Sequence, residues 1–113
     1  MGERIALLIG AEPGTVVVAD STSLNIFKLL AVATARAPGR KVIQTEAGNF
    51  PTDVYIAGGL ASLTGHEVRV DDLSVIKDDV AVVLVTEVNY RTGARHDMRS
   101  HTERAHAAGA AVR

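Results

Sequence analysis

The run Val80-Ala-Val-Val-Leu-Val-Thr86 is the most apolar in the chain. A stretch so short and so uniformly apolar reads as a strand covered on both faces, the pattern of a parallel sheet. Lys41–Thr45, built on Val42 and Ile43, reads the same way, and so does Val16–Ala19, β-branched at three positions. Parallel neighbours must be joined by crossovers, and stretches of helical period lie between these runs. The alternation therefore predicts an α/β fold with a mainly parallel sheet and helices on both faces.

Taken in order, Glu3 to Gly10 reads as the tail of a helix with Ile5, Leu8 and Ile9 on one face and Gly10 at its end. It lacks a good N-cap, which points to a helix that begins outside the chain or frays. Glu12-Pro13-Gly14 is a turn. The strand Val16–Ala19 then meets Asp20-Ser-Thr-Ser23, four residues that favour caps and turns. A helix begins there and ends near Arg36, with Leu24, Phe27 and Ala31 on one face and Leu30 and Thr34 beside it. After the second strand, Glu46–Asp53 is a loop, and Thr52 or Asp53 caps a helix to about Ser62 with Ile56, Leu60 and Leu63 inward. Gly58 and Gly59 weaken that helix or permit close backbone packing. His66–Val70 alternates as a strand nearer an edge, and Asp71–Asp79 is turn-like. After the Val80 run, Glu87–His96 is a loop. Asp97 then caps a helix through Ala108, its inner face Met98, Thr102 and Ala105 and its outer face an Arg99–Glu103 pair. Ala110-Ala-Val112 starts another strand, whose exposed apolar edge invites pairing and hence a homo-oligomer.

Composition closes off several classes of function. A chain of 113 residues is one domain at most. A net charge of -1 with no basic cluster gives no case for nucleic acid. The absence of cysteine excludes disulfides and thiolate metal sites, and the four histidines form no metal-ligand pattern. Ile5–Gly10 is too short for a membrane span or a secretion signal, so a cytoplasmic protein with no membrane partner is expected.

Three loops are expected at the C-terminal ends of buried strands, where open α/β sheets bind ligands: Asp20–Ser23, Glu46–Asp53 and Thr86–Gly93. The first offers free N–H groups, a helix dipole and hydroxyls to an anion such as a phosphate. The second offers Phe50, stiffened by Pro51, beside the carboxylate of Asp53. The third offers the hydroxyl of Thr86 and the polar Asn89. A flat, phosphorylated heteroaromatic ligand suits such a set. Each residue also has a plainer reading: an ordinary cap, a loop-to-core plug, a first-turn anion and a strand-end threonine.

The series Asp20-Ser-Thr-Ser-Leu-Asn25, Glu46-Ala-Gly-Asn-Phe-Pro-Thr-Asp53 and Thr86-Glu-Val-Asn-Tyr-Arg-Thr-Gly93, ending in His96-Asp97-Met98, resembles kynureninase along nearly the whole chain. More loosely it resembles the wider fold-type I group of pyridoxal-phosphate enzymes. The resemblance implies the cofactor pyridoxal 5′-phosphate. Thr22 and Ser23 would bind its phosphate, Phe50 would stack on its ring, Pro51, Thr52 and Asp53 would complete that wall, and Thr86 would line the pocket. The implied reaction is hydrolysis of L-kynurenine to anthranilate and L-alanine, in a homodimer. The family's ring-nitrogen aspartate and cofactor lysine lie beyond the point matching Arg113. Residues 1–113 are thus expected to be a partial cofactor-binding large domain, truncated at both ends, with no catalytic residue and no activity alone. The short Asp71–Asp79 connection implies that a surface helix of the family is missing. The alternative is a stand-alone, non-catalytic α/β module that binds a phosphate-bearing ligand or a partner chain.

Overall fold

The computed structural model describes residues 1–113. Its elements in chain order are α1 (Gly2–Ile9), α2 (Thr22–Ala35), β1 (Val42–Thr45), α3 (Pro51–Thr64), β2 (Glu67–Val70), β3 (Val80–Leu84), α4 (Met98–Ala107) and β4 (Ala111–Val112). The four strands form one sheet in the order β2-β1-β3-β4, every neighbouring pair parallel. β1 and β3 are buried at every position, whereas β2 sits at an edge and is partly exposed.

Alternation along the central strands divides the core in two. On one face Ile43, Val82 and Leu84 meet Leu30 and Ala33 of α2 and Ala57, Leu60 and Ala61 of α3. On the other Val42, Val80, Val83 and Val85 meet Ala105 of α4, Ala110 and Leu73. Val80 and Val83 share a face although they are three positions apart, a spacing that puts side chains on opposite faces of a regular strand. The pairing explains this, because Val42 lies opposite Val80 while Ile43 lies opposite Val82. Ala81 is therefore the extra residue of a bulge, which resets which face each later side chain takes. Helices thus cover both faces, as the apolar runs require.

Segment 71–79 carries the chain from β2 past β1 to β3 without a helix, in line with the short connection seen in the sequence. Two side chains hold it down. Leu73 is buried in the second cluster, and Gln44 of β1 donates from Nε2 to the carbonyls of Asp72 (3.1 Å) and Val75 (3.0 Å). At the outer edge Arg69 of β2 pairs with Asp79, and that guanidinium holds the Asp79 carboxyl below its ordinary range.

Several sequence expectations are corrected. Thr15–Ala19 is no strand: it runs beside α1 without sheet partners, with Val17 81% and Val18 63% exposed. An apolar β-branched run makes a strand only where a neighbour supplies ladder hydrogen bonds, and neither sheet edge takes this segment. In α1 the inward residue is Ala6, while Leu8 and Ile9 face outward. In α2 the inward face is turned toward Leu30, Ala33 and Thr34, leaving Leu24 exposed. In α3 Leu60 is buried as expected, but Ala57 and Ala61 join it against the sheet, while Leu63 is exposed. The cap of α3 is Phe50, with Pro51 at the first helical position, so Thr52 and Asp53 lie inside its first turn. A Cβ at Gly58 or Gly59 would meet nothing, so neither glycine serves close packing. By contrast, Asp97 accepts from the Ser100 N–H at the start of α4, and Arg99 pairs with Glu103, both as expected. No helix is long and apolar enough to cross a membrane.

Truncating Leu30, fully buried against both central strands, is expected to destabilise the fold by about 2–5 kcal/mol. Leu63→Ala, at a position 78% exposed, is expected to change stability by less than about 0.5 kcal/mol. Urea denaturation of the two variants checks the contrast.

Candidate functional site

Because all strands run the same way, their C-terminal ends open on one rim. A cavity of about 300 Å³ lies there. Thr22 and Ser23 line it from the start of α2, Glu46, Gly48, Phe50, Thr52 and Asp53 from the loop after β1, and Thr86, Val88, Asn89 and Tyr90 from the loop after β3. Of the seven residues singled out in the sequence, six line this cavity. Pro51 does not, and acts from behind as the first residue of α3.

The start of α2 is shaped by a turn that the strand expectation missed. Asp20 has a left-handed backbone with φ 44°, a conformation that Asp tolerates better than most side chains. Two contacts from the helix hold it. Lys28 pairs with the Asp20 carboxylate, and Asn25 Nδ2 donates to the Ala19 carbonyl at 2.7 Å. Ser21 is the cap and accepts from the Leu24 N–H at 3.3 Å. The N–H groups and hydroxyls of Thr22 and Ser23 are left without a partner in the chain, beside the cavity. Free donors at the positive end of a helix form an anion cradle. The first turn of α3 reaches the same cavity through Thr52 and Asp53, so two helix N-termini converge on it.

Behind the wall lies Asn49, buried and bonded on both ends of its amide. Its Oδ1 accepts from the Phe50 N–H at 2.7 Å and from Thr86 Oγ1 at 2.7 Å. Its Nδ2 donates to Thr45 Oγ1 at 2.9 Å and to the Leu84 carbonyl at 3.3 Å. One side chain thus ties the ends of β1 and β3 to Phe50 and Thr86. Nothing in the residue types of the loop announced this, since an Asn between Gly and Phe reads as a turn former.

Tyr90 is a further residue that sequence reasoning passed over. Its ring meets Phe50 edge-on, with centroids 5.0 Å apart and planes at 77°. Asn89 sets it there: Asn89 Oδ1 accepts from the N–H groups of Arg91 (2.9 Å) and Thr92 (3.0 Å), folding the turn, and Nδ2 reaches the Gly48 carbonyl at 3.3 Å. Asn89 is therefore mainly a turn builder. Opposite lies Glu46, which accepts from His96 Nε2 at 2.6 Å. His96 in turn meets the ring of His101 edge-on at 5.1 Å, and burial holds His101 below its ordinary value, so a neutral ring faces it near pH 7. Asp53 makes no hydrogen bond through its carboxylate, and burial raises its pKa.

The cavity pairs a phosphate-sized cradle with an aromatic wall at the rim of a parallel sheet. The fold and its rim are those of an α/β protein with a cleft at the C-terminal ends of a parallel sheet, the place where ligands bind in such folds. Comparison with known proteins sharpens this class. The chain is 48% identical to a kynureninase of Pseudomonas fluorescens over 97% of its own length and 29% of that relative. It is 54% identical to a kynureninase of Deinococcus radiodurans over 94% of its length and 27% of the relative. A kynureninase of Burkholderia pseudomallei is 46% identical over 97% of the chain and 29% of the relative. Nearly the whole chain is thus kynureninase-like, and it spans less than a third of the length of these relatives. No family model matches the chain.

Asp53 supplies a test of the site's electrostatics. A carboxyl whose pKa is raised on folding contributes its stability below the unfolded value of 3.8 and loses it as pH rises through the folded value. Asp53→Asn is therefore expected to match the parent at acid pH and to be the more stable of the two at neutral pH. Thermal melts across that range read the difference.

Proposed function

We propose that this chain supplies the phosphate cradle and one ring wall of a pyridoxal 5′-phosphate site in an enzyme of kynureninase activity, as part of its cofactor-binding large domain. One observation carries the reading: the unpartnered donors of Thr22 and Ser23 and the ring of Phe50 line a single cavity. The donor chemistry fits the cofactor. Two helix N-termini and two hydroxyls suit a dianionic phosphate, and a phenyl face suits a pyridine ring. Thr22 and Ser23 hold the phosphate, and Phe50, fixed by Asn49 and Pro51, stacks on the ring. Thr52 and Asp53 complete the wall, and Thr86 meets the ring from the loop after β3. The chemistry the cofactor supplies when bound is an electron sink, which in the kynureninase reaction permits hydrolysis of L-kynurenine to anthranilate and L-alanine.

None of the chain's lysines, Lys28, Lys41 and Lys77, lines the cavity. The 113-residue chain by itself is therefore expected to bind the cofactor's phosphate group yet to release no anthranilate from L-kynurenine, as read by anthranilate fluorescence. Phosphorus NMR titration with pyridoxamine 5′-phosphate tests binding without imine formation at surface lysines. Ser23→Ala is expected to weaken that binding by about tenfold or more, the worth of a hydrogen bond to a charged group. Equal affinity in the parent and in Ser23→Ala sinks the assignment of the cradle.

Association between chains belongs to the same proposal. Leu7, Leu8, Val17 and Val18 are all more than 60% exposed, an apolar surface of the kind that interfaces cover. Light scattering is expected to show a dimer or larger species; a monodisperse monomer at high concentration contradicts this.

A further inference from the structure

We propose that Asn49 fixes the hydrogen-bond polarity of the cavity, so that Thr86 presents only an acceptor and the site selects a ring whose facing group carries a hydrogen. The inference rests on the ligand reading above and adds to it a rule for which ring groups the pocket takes.

Two backbone groups of unchangeable polarity orient the Asn49 amide. The Phe50 N–H can only donate, and it lies 2.7 Å from Oδ1. The Leu84 carbonyl can only accept, and it lies 3.3 Å from Nδ2. Rotating the amide by half a turn would set NH2 against N–H and oxygen against carbonyl, losing both bonds and adding two repulsions. The rest of the chain follows. Thr45 Oγ1 accepts from Nδ2 at 2.9 Å and passes its own hydrogen to the Leu84 carbonyl at 2.9 Å. On the other side Oδ1 can only accept, so Thr86 Oγ1, 2.7 Å away, must donate to it.

A hydroxyl has one hydrogen, and that of Thr86 is committed to a buried partner. What remains toward the cavity is its lone pairs. Threonine ordinarily adapts by rotating its hydroxyl; this one cannot without leaving the buried Oδ1 short of a donor, which carries a desolvation penalty. A ring group bearing a hydrogen therefore binds opposite Thr86, and a bare oxyanion there would meet only lone pairs. Asn49 acts here as a positioning residue, through Thr86 and Phe50, without lining the cavity itself.

The test compares three probes on the full 113-residue chain: pyridoxamine 5′-phosphate, its analogue lacking the ring hydroxyl, and its analogue lacking the aminomethyl nitrogen. Removing one of the two hydrogen-bearing groups is expected to weaken binding to the parent about 3- to 10-fold. That loss is expected to vanish in Thr86→Val, which keeps the shape and removes the acceptor. It is expected to shrink also in Asn49→Ala, which frees the Thr86 hydroxyl to rotate, with inorganic phosphate affinity unchanged. Circular dichroism shows whether each variant folds; should Asn49→Ala unfold, Thr86→Val decides alone. The proposal is overturned if the parent binds all three probes equally, or if the discrimination persists in Thr86→Val. Failure of the parent to bind any probe overturns the cofactor reading itself, a different and separable result.

Discussion

Everything at the rim follows from the parallel pairing of β1 and β3. These are the two strands buried at every position, and each is held between a layer of helices and a second apolar cluster. Parallel pairing puts their C-terminal ends side by side, so the loops that leave them are neighbours although about forty residues of sequence separate Thr45 from Thr86. The bulge at Ala81 sets which side chains of β3 face which layer, and the ladder then brings Thr45 opposite Leu84. That register lets one asparagine bridge both strand ends. A one-residue slip would turn each side chain of β3 to the opposite layer and break the Thr45–Leu84 contact together with the relay built on it.

The sheet and its layers were legible because their cause is local. A run such as Val80–Val85 has nowhere stable to go except between two covered faces, and alternation with helical stretches leaves few topologies. The helix ends were legible for the same reason, as at Asp97, where a capping side chain and the N–H that donates to it are three residues apart. The failures share a different cause. Val16–Ala19 carries the composition of a strand, but composition says nothing of whether a sheet edge is free to receive it, and none receives this segment. The helical period places Leu8, Ile9, Leu24 and Leu63 inward, and the structure exposes all four. It buries Leu60 as expected and adds Ala33, Ala57 and Ala61, because small side chains let a helix lie close on a sheet already crowded with valine and isoleucine.

The same division runs through the site. Thr22, Ser23, Phe50, Thr52, Asp53 and Thr86 were visible as residue types at strand ends and in motifs, and they meet in one cavity. Asn49 and Tyr90 were not, since what distinguishes them is a partner distant in sequence: Leu84 and Thr86 for one, Phe50 for the other. Asn89 was read for its polarity and proves to be occupied by its own turn. Residues that touch a ligand are chosen for their chemistry and leave a trace in composition. Residues that hold them in place are chosen for geometry, which appears only once the chain is folded.

This distinction bears on how such a site keeps its shape. Thr22 and Ser23 sit on the exposed mouth of a helix whose preceding turn is pinned by an exposed ion pair, a contact of small energetic weight in water. Phe50 and Thr86 instead donate to the amide of the buried Asn49, where an unmade bond carries a desolvation penalty and distortion is resisted. The cavity is thus rigid on its ring wall and more compliant at its cradle. A phosphate, with three equivalent oxygens and its charge spread among them, tolerates such compliance. The ring we propose, presenting one chosen group to the Thr86 hydroxyl, would not, and it is the Phe50–Thr86 side of the cavity that the Asn49 network holds.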